Sequence, residues 1–363
     1  MMFPMQGNGV DTGMTRHHGF TRTWLLVLTT LVTTSAAHAQ PGAALFSSND
    51  VIELTLTAPI RTLVNKRTRR PEVDGTLSYT DANGEMTLLD LEVRTRGKSR
   101  LSLCRFPPLS LNFKRRQVAG TLFSGQNRLK LATRCQAGER YEQYLYLEYL
   151  IYRIYQQVTD NGFRVRPVNM RYVDSERDRV DVAPGFLIEH IDGVAARTMM
   201  SPVEQPSLLI AELNPLQTSL YMIFQYLVGN TDFSALMPAD DDDCCHNTDL
   251  LGPRSGDTGL IPVPYDFDQT GLVNANYAEP NPILPIRSVR QRLYRGLCTH
   301  NALLDETIDR FNEARANIEA LFSTTRLSDD ARDKALAYLV EAYEILNDPE
   351  ARQEEIEGEC RGN

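Results

Sequence analysis

Short segments of alternating apolar and polar residues dominate the first third of the chain. Alternation of this kind is typical of half-buried strands. It predicts strands at residues 51–56, 75–79, 86–96, 109–113 and 127–131. A turn is predicted at residues 81–84, where Asp, Asn and Gly occur together. Because the segments follow one another closely, we expect antiparallel hairpins in a β-rich region.

Helical spacing of apolar residues is clearest at residues 141–158, which contain no Gly or Pro and predict a helix. A second helix is predicted at residues 216–228, where apolar residues surround the axis, as in a core helix. Further strands are predicted at residues 168–173, 185–189 and 261–267. The tail at residues 302–358 predicts two or three amphipathic helices.

The beginning of the chain is typical of a secretory signal. Arg16 and Arg22 precede an apolar run, and Ala37-His38-Ala39 provides small residues for cleavage before Gln40. The run has roughly half of the ~20 residues that a membrane-spanning helix needs, so cleavage is favoured over a retained anchor. We therefore expect a signal peptide (1–39), a β-rich N-lobe with one long helix (40–192), a helical C-lobe with a metal site (193–300) and a C-terminal helical extension (301–363).

Charge and hydropathy narrow the classes of partner. Removal of the signal takes Arg16, Arg22 and Asp11 from totals of 38 basic and 47 acidic residues, and leaves 36 and 46. This negative balance argues against a nucleic-acid partner. No later stretch approaches the ~18 apolar residues of a spanning helix, so no membrane span is expected after signal removal. The expected location is periplasmic, envelope-associated or extracellular.

Six cysteines, an even number, predict disulfide bonds in an exported protein. Cys104 and Cys135 flank the strand-rich segment before the first long helix, and we expect them to bond. One of the vicinal cysteines, Cys244-Cys245, is expected to bond Cys298 or Cys360, since neighbouring cysteines seldom bond each other. Zinc at the vicinal pair is a weaker alternative, because no second cluster completes a tetrahedral ligand set.

Charged residues inside apolar segments mark candidate chemistry, because an isolated buried charge is costly. Lys130 lies in a predicted strand and Glu148 in the following helix. A lysine held by a glutamate can present its ammonium group to phosphate oxygens. An ordinary structural ion pair, or a lysine on the solvent face of the strand, explains the same pattern.

A second group of polar residues follows the predicted core helix. Asp232 is a candidate base for a hydroxyl proton, and Asn247 offers an oxygen ligand for a cation. A helix C-cap is the better interpretation of Gly229 and Asn230 alone. Capping leaves Asp232 and Asn247 unexplained.

Asp266 and Asp268 end a predicted apolar strand and, two residues apart, are expected on the same side. They would repel each other unless a cation lay between them, and their hard oxygens suit Mg²⁺ or Mn²⁺. A strand entering an Asp-rich turn is the plain alternative. The acidic run at residues 240–243 is expected to be a solvated loop, with calcium binding as the alternative.

In their order along the chain, these segments resemble the CotH spore-coat kinases and, more distantly, the HipA-like and lipid kinases. The resemblance is carried by Asn230-Thr231-Asp232, His246-Asn247, Tyr265-Asp266-Phe267-Asp268, Arg96-Gly97-Lys98-Ser99 and residues 186–192. It implies an α+β, two-lobed protein-kinase-like fold, with a β-rich N-lobe and a mostly helical C-lobe that carries extra C-terminal helices. The chain departs from the family pattern by an insertion at residues 233–245 and by the lack of a G-x-G-x-x-G loop.

The resemblance implies transfer of phosphate from ATP, with Mg²⁺ or Mn²⁺, to a hydroxyl acceptor. The implied residues are Asp232, Lys130 and Glu148 for catalysis, Arg96, Lys98, Arg100 and Glu189 for the nucleotide, and Asn247, Asp266 and Asp268 for the metal. A solvated basic hairpin is the alternative interpretation of the basic residues around Gly97. Because ATP is scarce outside the cytoplasm, a non-catalytic envelope or surface binding protein is the competing hypothesis. A hydrolase is disfavoured, because the chain has neither G-x-S-x-G nor H-E-x-x-H.

Overall fold

The computed structural model describes residue 13 and residues 44–238, 244–254 and 258–362. Apart from residue 13, the predicted signal peptide lies outside these residues, and so does the acidic run at 240–243. From residue 44 onward, the described residues belong to one compact unit.

Seven strands close into a barrel in the order β1-β2-β3-β4-β5-β7-β6. The strands are β1 (Ile52–Ala58), β2 (Val73–Thr80), β3 (Met86–Thr95), β4 (Leu109–Phe113), β5 (Arg128–Thr133), β6 (Val165–Asp174) and β7 (Arg179–Ile188). β1 pairs in parallel with β6, and this pair closes the barrel. Alternate residues such as Leu56, Leu111 and Met170 are fully buried and form its core.

The closed barrel shows that the expected two-lobed protein-kinase-like fold, with a β-rich N-lobe and a helical C-lobe, is wrong. Most predicted strand positions lie close to the observed ones, although β7 begins at Arg179, six residues before its predicted start. The error lies in the pairing. Alternation identifies a strand but not its distant partner. β1 and β6 pair from Ile52↔Val168 to Ala58↔Asp174, and no turn connects them directly, so the sequence gives no local signal for this pairing.

Helices occur between the barrel strands in the sequence, and a long helix packs on the outside of the barrel. Three short ones, α1 (Ile60–Asn65), α2 (Ser99–Leu103) and α3 (Arg115–Val118), were not predicted, because four to six residues show no helical period. The long helix α4 (Glu139–Tyr155) was predicted at nearly these bounds, and it packs on β6, β7 and the C-terminal helix that begins at Leu304.

The remaining helices and strands follow the barrel in the chain, and most of them contribute with α4 to a second core. They are α5 (Ile191–Thr198), β8 (Ser201–Val203), α6 (Pro215–Leu227), β9 (Thr248–Gly252), β10 (Ile261–Pro264), α7 (Leu304–Thr324), α8 (Asp329–Asn347) and α9 (Pro349–Arg352). Asn214 caps α6 through its side chain, which accepts a bond from the Gln217 N–H at 3.0 Å. From Thr218 to Leu227 every residue of α6 is buried, as predicted for a core helix. None of the helices in the described part of the chain combines the length and apolar character needed to cross a bilayer.

Three cysteine pairs lie at disulfide distance, namely Cys104–Cys135, Cys244–Cys245 and Cys298–Cys360. The first pair confirms the prediction. The expected bond from the vicinal cysteines to Cys298 or Cys360 is wrong. Backbone bonds from the Cys298 N–H to the Arg361 carbonyl and from the Arg361 N–H to the Gly296 carbonyl align those two segments, so Cys298 and Cys360 meet each other.

Candidate functional site

Arg100 is buried at the centre of three carboxylates. Its guanidinium donates two hydrogen bonds of 3.0 Å to Glu148. It also contacts Oδ1 of Asp266 and lies 3.4 Å from Oδ2 of Asp268. The Arg100 side chain is only 7% exposed. Because a guanidinium fork matches a carboxylate in two bonds, Arg100 acts as the internal counter-ion of this cluster.

Helix α4 holds the cluster from one side. Glu148 and Tyr152 lie one turn apart on the same face of the helix. While Glu148 binds Arg100, the Tyr152 hydroxyl accepts a hydrogen bond of 3.1 Å from the Asp266 N–H. The helix therefore positions the Asp266 segment directly and through Arg100.

The segment after β10 turns sharply at Asp266, whose φ of 63° lies in the left-handed region. Phe267 is fully buried and packs against Tyr152 and Phe224, with ring centroids 4.7 and 5.5 Å apart. Since β10 ends at Pro264, the expected strand to residue 267, with both aspartates on one face, is wrong. The turn nevertheless brings Asp266 and Asp268 to the same guanidinium.

Asp232 lies in a second group, built after α6. Nε2 of His246 is 2.8 Å from Oδ1 of Asp232. The Asn247 amide donates to the Asp232 carbonyl at 2.7 Å and to its Oδ2 at 3.1 Å. Asn247 also has a left-handed backbone, with φ 51°. Its carbonyl accepts a 3.0 Å bond from the Tyr265 N–H, which joins this group to the Asp266 segment.

Two features fix the backbone around Asp232. Gly229 follows α6 with φ 63°, as the helix-cap interpretation predicted, and a Cβ there would overlap the Tyr338 hydroxyl of α8. Arg295 donates hydrogen bonds to the carbonyls of Thr231 at 2.8 Å and Phe233 at 2.6 Å. These two carbonyls flank Asp232, so Arg295 positions it from both sides.

Lys130 does not pair with Glu148, contrary to expectation. Both Glu148 oxygens bind Arg100, whereas the Lys130 ammonium lies over the Tyr265 ring, 4.5 Å from its centroid. Burial lowers the pKa of Lys130, and the charges of Asp249 and Asp266 oppose that shift. Lys130 therefore lies beside the cluster. Glu148 pairs with Arg100 instead, because a guanidinium group can donate two parallel hydrogen bonds to one carboxylate.

The other residues expected to bind nucleotide have different surroundings. The positive charge of Arg96 helps to lower the pKa of the Asp266 carboxyl. The positive charge of Lys98 opposes the upward shift in the pKa of His246. Arg100, in contrast, is enclosed by its own carboxylates rather than presented to a ligand.

Glu189 also lies apart from the Arg100 cluster. Its carboxylate accepts bonds from the Arg164 N–H at 3.0 Å and from Arg197 at 3.1 Å. It lines a different cavity, which none of the three carboxylate partners of Arg100 lines. The observed role of Glu189 is to hold α5 against the preceding strand.

Burial and charge set the protonation of the cluster. Burial raises the pKa of Asp268 to about 7, against the opposing charge of Arg100. Burial would raise the pKa of Asp266 as well, but Arg100 and Arg96 outweigh it and the net shift is downward. The hydrogen bond with Asp232 raises the pKa of His246. At neutral pH, Asp266 is ionised and Asp268 is near its midpoint.

The donor set fits a divalent ion only in part. Oδ2 of Asp268 is buried and, within the described residues, makes no hydrogen bond, although it lies 3.4 Å from Nε of Arg100. The Asp266 side chain is 32% exposed. In that part of the chain, no three or more His, Cys, Asp or Glu side chains are arranged to hold a metal ion. Mg²⁺ usually takes one or two carboxylates and completes its shell with phosphate oxygens and water. Asp266 and Asp268 suit that mode, and Asn247 offers only its oxygen, because its amide nitrogen binds Asp232.

Several residues of the site were missed by sequence reasoning. The role of His246 was indicated only by its position next to Asn247. Tyr152 and Arg295 carry no local signal, since aromatic residues in an amphipathic helix and an arginine in a loop are common. The Arg100 pairing was missed because a short helix, not a strand, brings that residue inside.

Comparison with known proteins leaves the site to be interpreted from its geometry. No protein-family model matches the chain, and no curated protein matches it. The feature of the chain that indicates a function is the connected cluster of Arg100, Asp266 and Asp268 with the Asp232 group.

Proposed function

We propose that the chain is an exported phosphotransferase, which moves a phosphoryl group from ATP with Mg²⁺ or Mn²⁺ to a hydroxyl acceptor. One observation carries the proposal. The Asp266 segment and the Asp232 group are joined by the bond from Tyr265 to Asn247, with basic side chains beside them. Phosphoryl transfer requires cations near the phosphates, oxygen ligands for a metal and a group that orients the acceptor hydroxyl.

Asp232 is the proposed proton acceptor. In the reaction, the acceptor oxygen forms a bond to the terminal phosphorus, the bond from that phosphorus to the bridging oxygen breaks, and ADP leaves. The hydroxyl proton passes to the Asp232 carboxylate, whose side chain is 31% exposed. His246 and Asn247 hold that carboxylate in one orientation, which favours transfer to a correctly placed hydroxyl.

Asp266 and Asp268 are the proposed metal ligands, and a bound ion would supply positive charge to the transferred phosphoryl group. Arg96, Lys98 and Lys130 would face the phosphates from the other side. Arg100 is a positioning residue in this proposal, because it fixes both aspartates without reaching a ligand itself.

Export is part of the proposal. It is supported by three cysteine pairs at disulfide distance, since such bonds persist in oxidising compartments. The pattern at residues 1–39 supports it independently.

Arg100 also favours a second candidate function. Its guanidinium already neutralises part of the charge of Asp266 and Asp268, so the site is held together without an ion. A non-catalytic envelope or surface protein could use the same framework to bind an anionic partner through Arg96 and Lys98. Turnover that depends on Asp232 separates the two candidates.

The test uses Asp232→Asn and Asp266→Asn in two assays, ATP binding by calorimetry and ATP hydrolysis with water as the acceptor. A phosphotransferase predicts that Asp266→Asn loses metal-dependent binding. Asp232→Asn should keep its affinity and lose turnover by about 10²–10⁴-fold. Asp309→Asn, an exposed change on α7, is the matched control and should behave as wild type. Wild-type protein that binds no ATP with either metal would exclude the phosphotransferase.

A further inference from the structure

A cavity of about 360 Å³ lies at one end of the barrel, away from the Arg100 cluster. Its wall includes residues of α1, Tyr172 of β6, Ala183 of β7 and Arg134, which directly follows β5. The Cys104–Cys135 pair supports the same wall through Cys135. Barrel mouths of this size are common positions for small ligands.

Arginines dominate the charge of this cavity. Its lining contains Arg61, Arg105, Arg134, Arg177 and Arg179 against Asp174 and Asp181. Arg134 is already paired with Glu142 at 2.6 Å, and Arg177 lies 3.8 Å from Asp174. Within the described residues, no carboxylate lies within 4.0 Å of the guanidinium of the remaining three arginines. Within the described part of the chain, these three exposed arginines therefore carry positive charge that no carboxylate neutralises by contact.

An aromatic surface lies beside this charge. Phe106 and Tyr172 both line the cavity, with ring centroids 4.7 Å apart. Tyr172 is 4% exposed, and its hydroxyl has no hydrogen-bond partner within the described residues. The hydroxyl itself is inaccessible, so Phe106 and Tyr172 contribute apolar ring surface to the cavity rather than a polar group.

We propose that this cavity binds a small organic anion with a flat apolar body, of the class of aromatic carboxylates. The anionic group would pair with Arg61, Arg105 or Arg179, since guanidinium groups bind carboxylates through two parallel bonds. The flat body would lie against the rings of Phe106 and Tyr172. The proposal does not depend on the phosphotransferase function.

The experiment titrates the intact protein with 2-naphthoate and with 2-naphthalenemethanol, a neutral molecule of similar shape. Naphthoate should bind at least about tenfold more tightly than the alcohol, and its affinity should fall as salt is raised. The double variant Arg105→Gln with Arg179→Gln should lose this preference. Arg171→Gln, an exposed change on β6 next to Tyr172 but outside the cavity, is the matched control and should keep it. No binding at millimolar naphthoate, or equal affinity for the alcohol, overturns the proposal.

Discussion

Replacement of Arg100 by methionine tests the role of its guanidinium as a counter-ion. Arg100→Met keeps most of the side-chain volume but leaves Glu148, Asp266 and Asp268 without their shared cation. The side chains of Glu148 and Asp268 are only 3% and 5% exposed, so water does little to stabilise their charges when the guanidinium is absent. Removal of one partner from a buried ion pair costs about 3–5 kcal/mol, which corresponds to a fall in Tm of roughly 4–8 °C for a protein of this size.

The size of this loss should depend on pH. Without Arg100, burial raises the pKa values of the three carboxyls above their unfolded values. Such groups stabilise the protein at pH below the unfolded pKa, near 4, and this contribution is lost as pH rises through the folded pKa. The deficit of Arg100→Met relative to wild type should therefore be smallest near pH 4 and largest above pH 7.

The deficit is measured from thermal unfolding in EDTA, with circular dichroism as the signal. In a separate measurement without EDTA, millimolar Mn²⁺ should reduce the deficit by taking the place of the guanidinium. Arg310→Met is the matched control, because Arg310 pairs with Glu306 on the surface of α7, where both side chains are 40% or more exposed. That pair is worth less than about 1 kcal/mol. Wild-type stability of Arg100→Met at pH 7.5 would refute the counter-ion interpretation.

Four further predictions concern other parts of the molecule. Asp268 has a folded pKa of about 7, well above its unfolded value, so wild-type stability in EDTA should fall as pH rises from about 4 to 7. Urea titrations across this range should show a flatter profile for Asp268→Asn. Arg295→Gln should lower the turnover of ATP more than its binding, because it removes the bonds that flank Asp232; equal losses in both would contradict a positioning role. Gly229→Ala should reduce the yield of folded protein sharply compared with Gly84→Ala, since both have positive φ but only Gly229 approaches a neighbouring side chain. Paired Cys104→Ser and Cys135→Ser changes should lower the free energy of unfolding by roughly 3–4 kcal/mol, and unchanged stability would show that this pair does not constrain the chain.

Local patterns predicted elements of the fold more successfully than their assembly. The positions of β4 and α6 follow closely from alternation and from an all-round apolar helix. Closure by β1 and β6 depends on residues more than a hundred positions apart, and a hydrophobic pattern does not specify its partner. For this reason the barrel was missed although its strands were found.

The site shows the same limit at the level of side chains. Asp232, Asn247, Asp266 and Asp268 were chosen because polar residues followed apolar elements, and they lie in one connected cluster. The position of Glu148 in an apolar helix indicated that it needs a cationic partner, and Lys130 was the partner expected. The choice of Arg100 over Lys130 depends on where α2 enters the structure, which composition and spacing do not reveal.

Calorimetric titration of the wild-type protein with ATP, in Mg²⁺ and then in EDTA, tests the central claim most directly. The proposed site predicts saturable binding to one site with the metal, and loss of that binding in EDTA because Asp266 and Asp268 then repel the phosphates. The same loss should occur in Asp266→Asn with the metal present. Absence of binding in wild type with both Mg²⁺ and Mn²⁺ would contradict the proposed phosphotransferase.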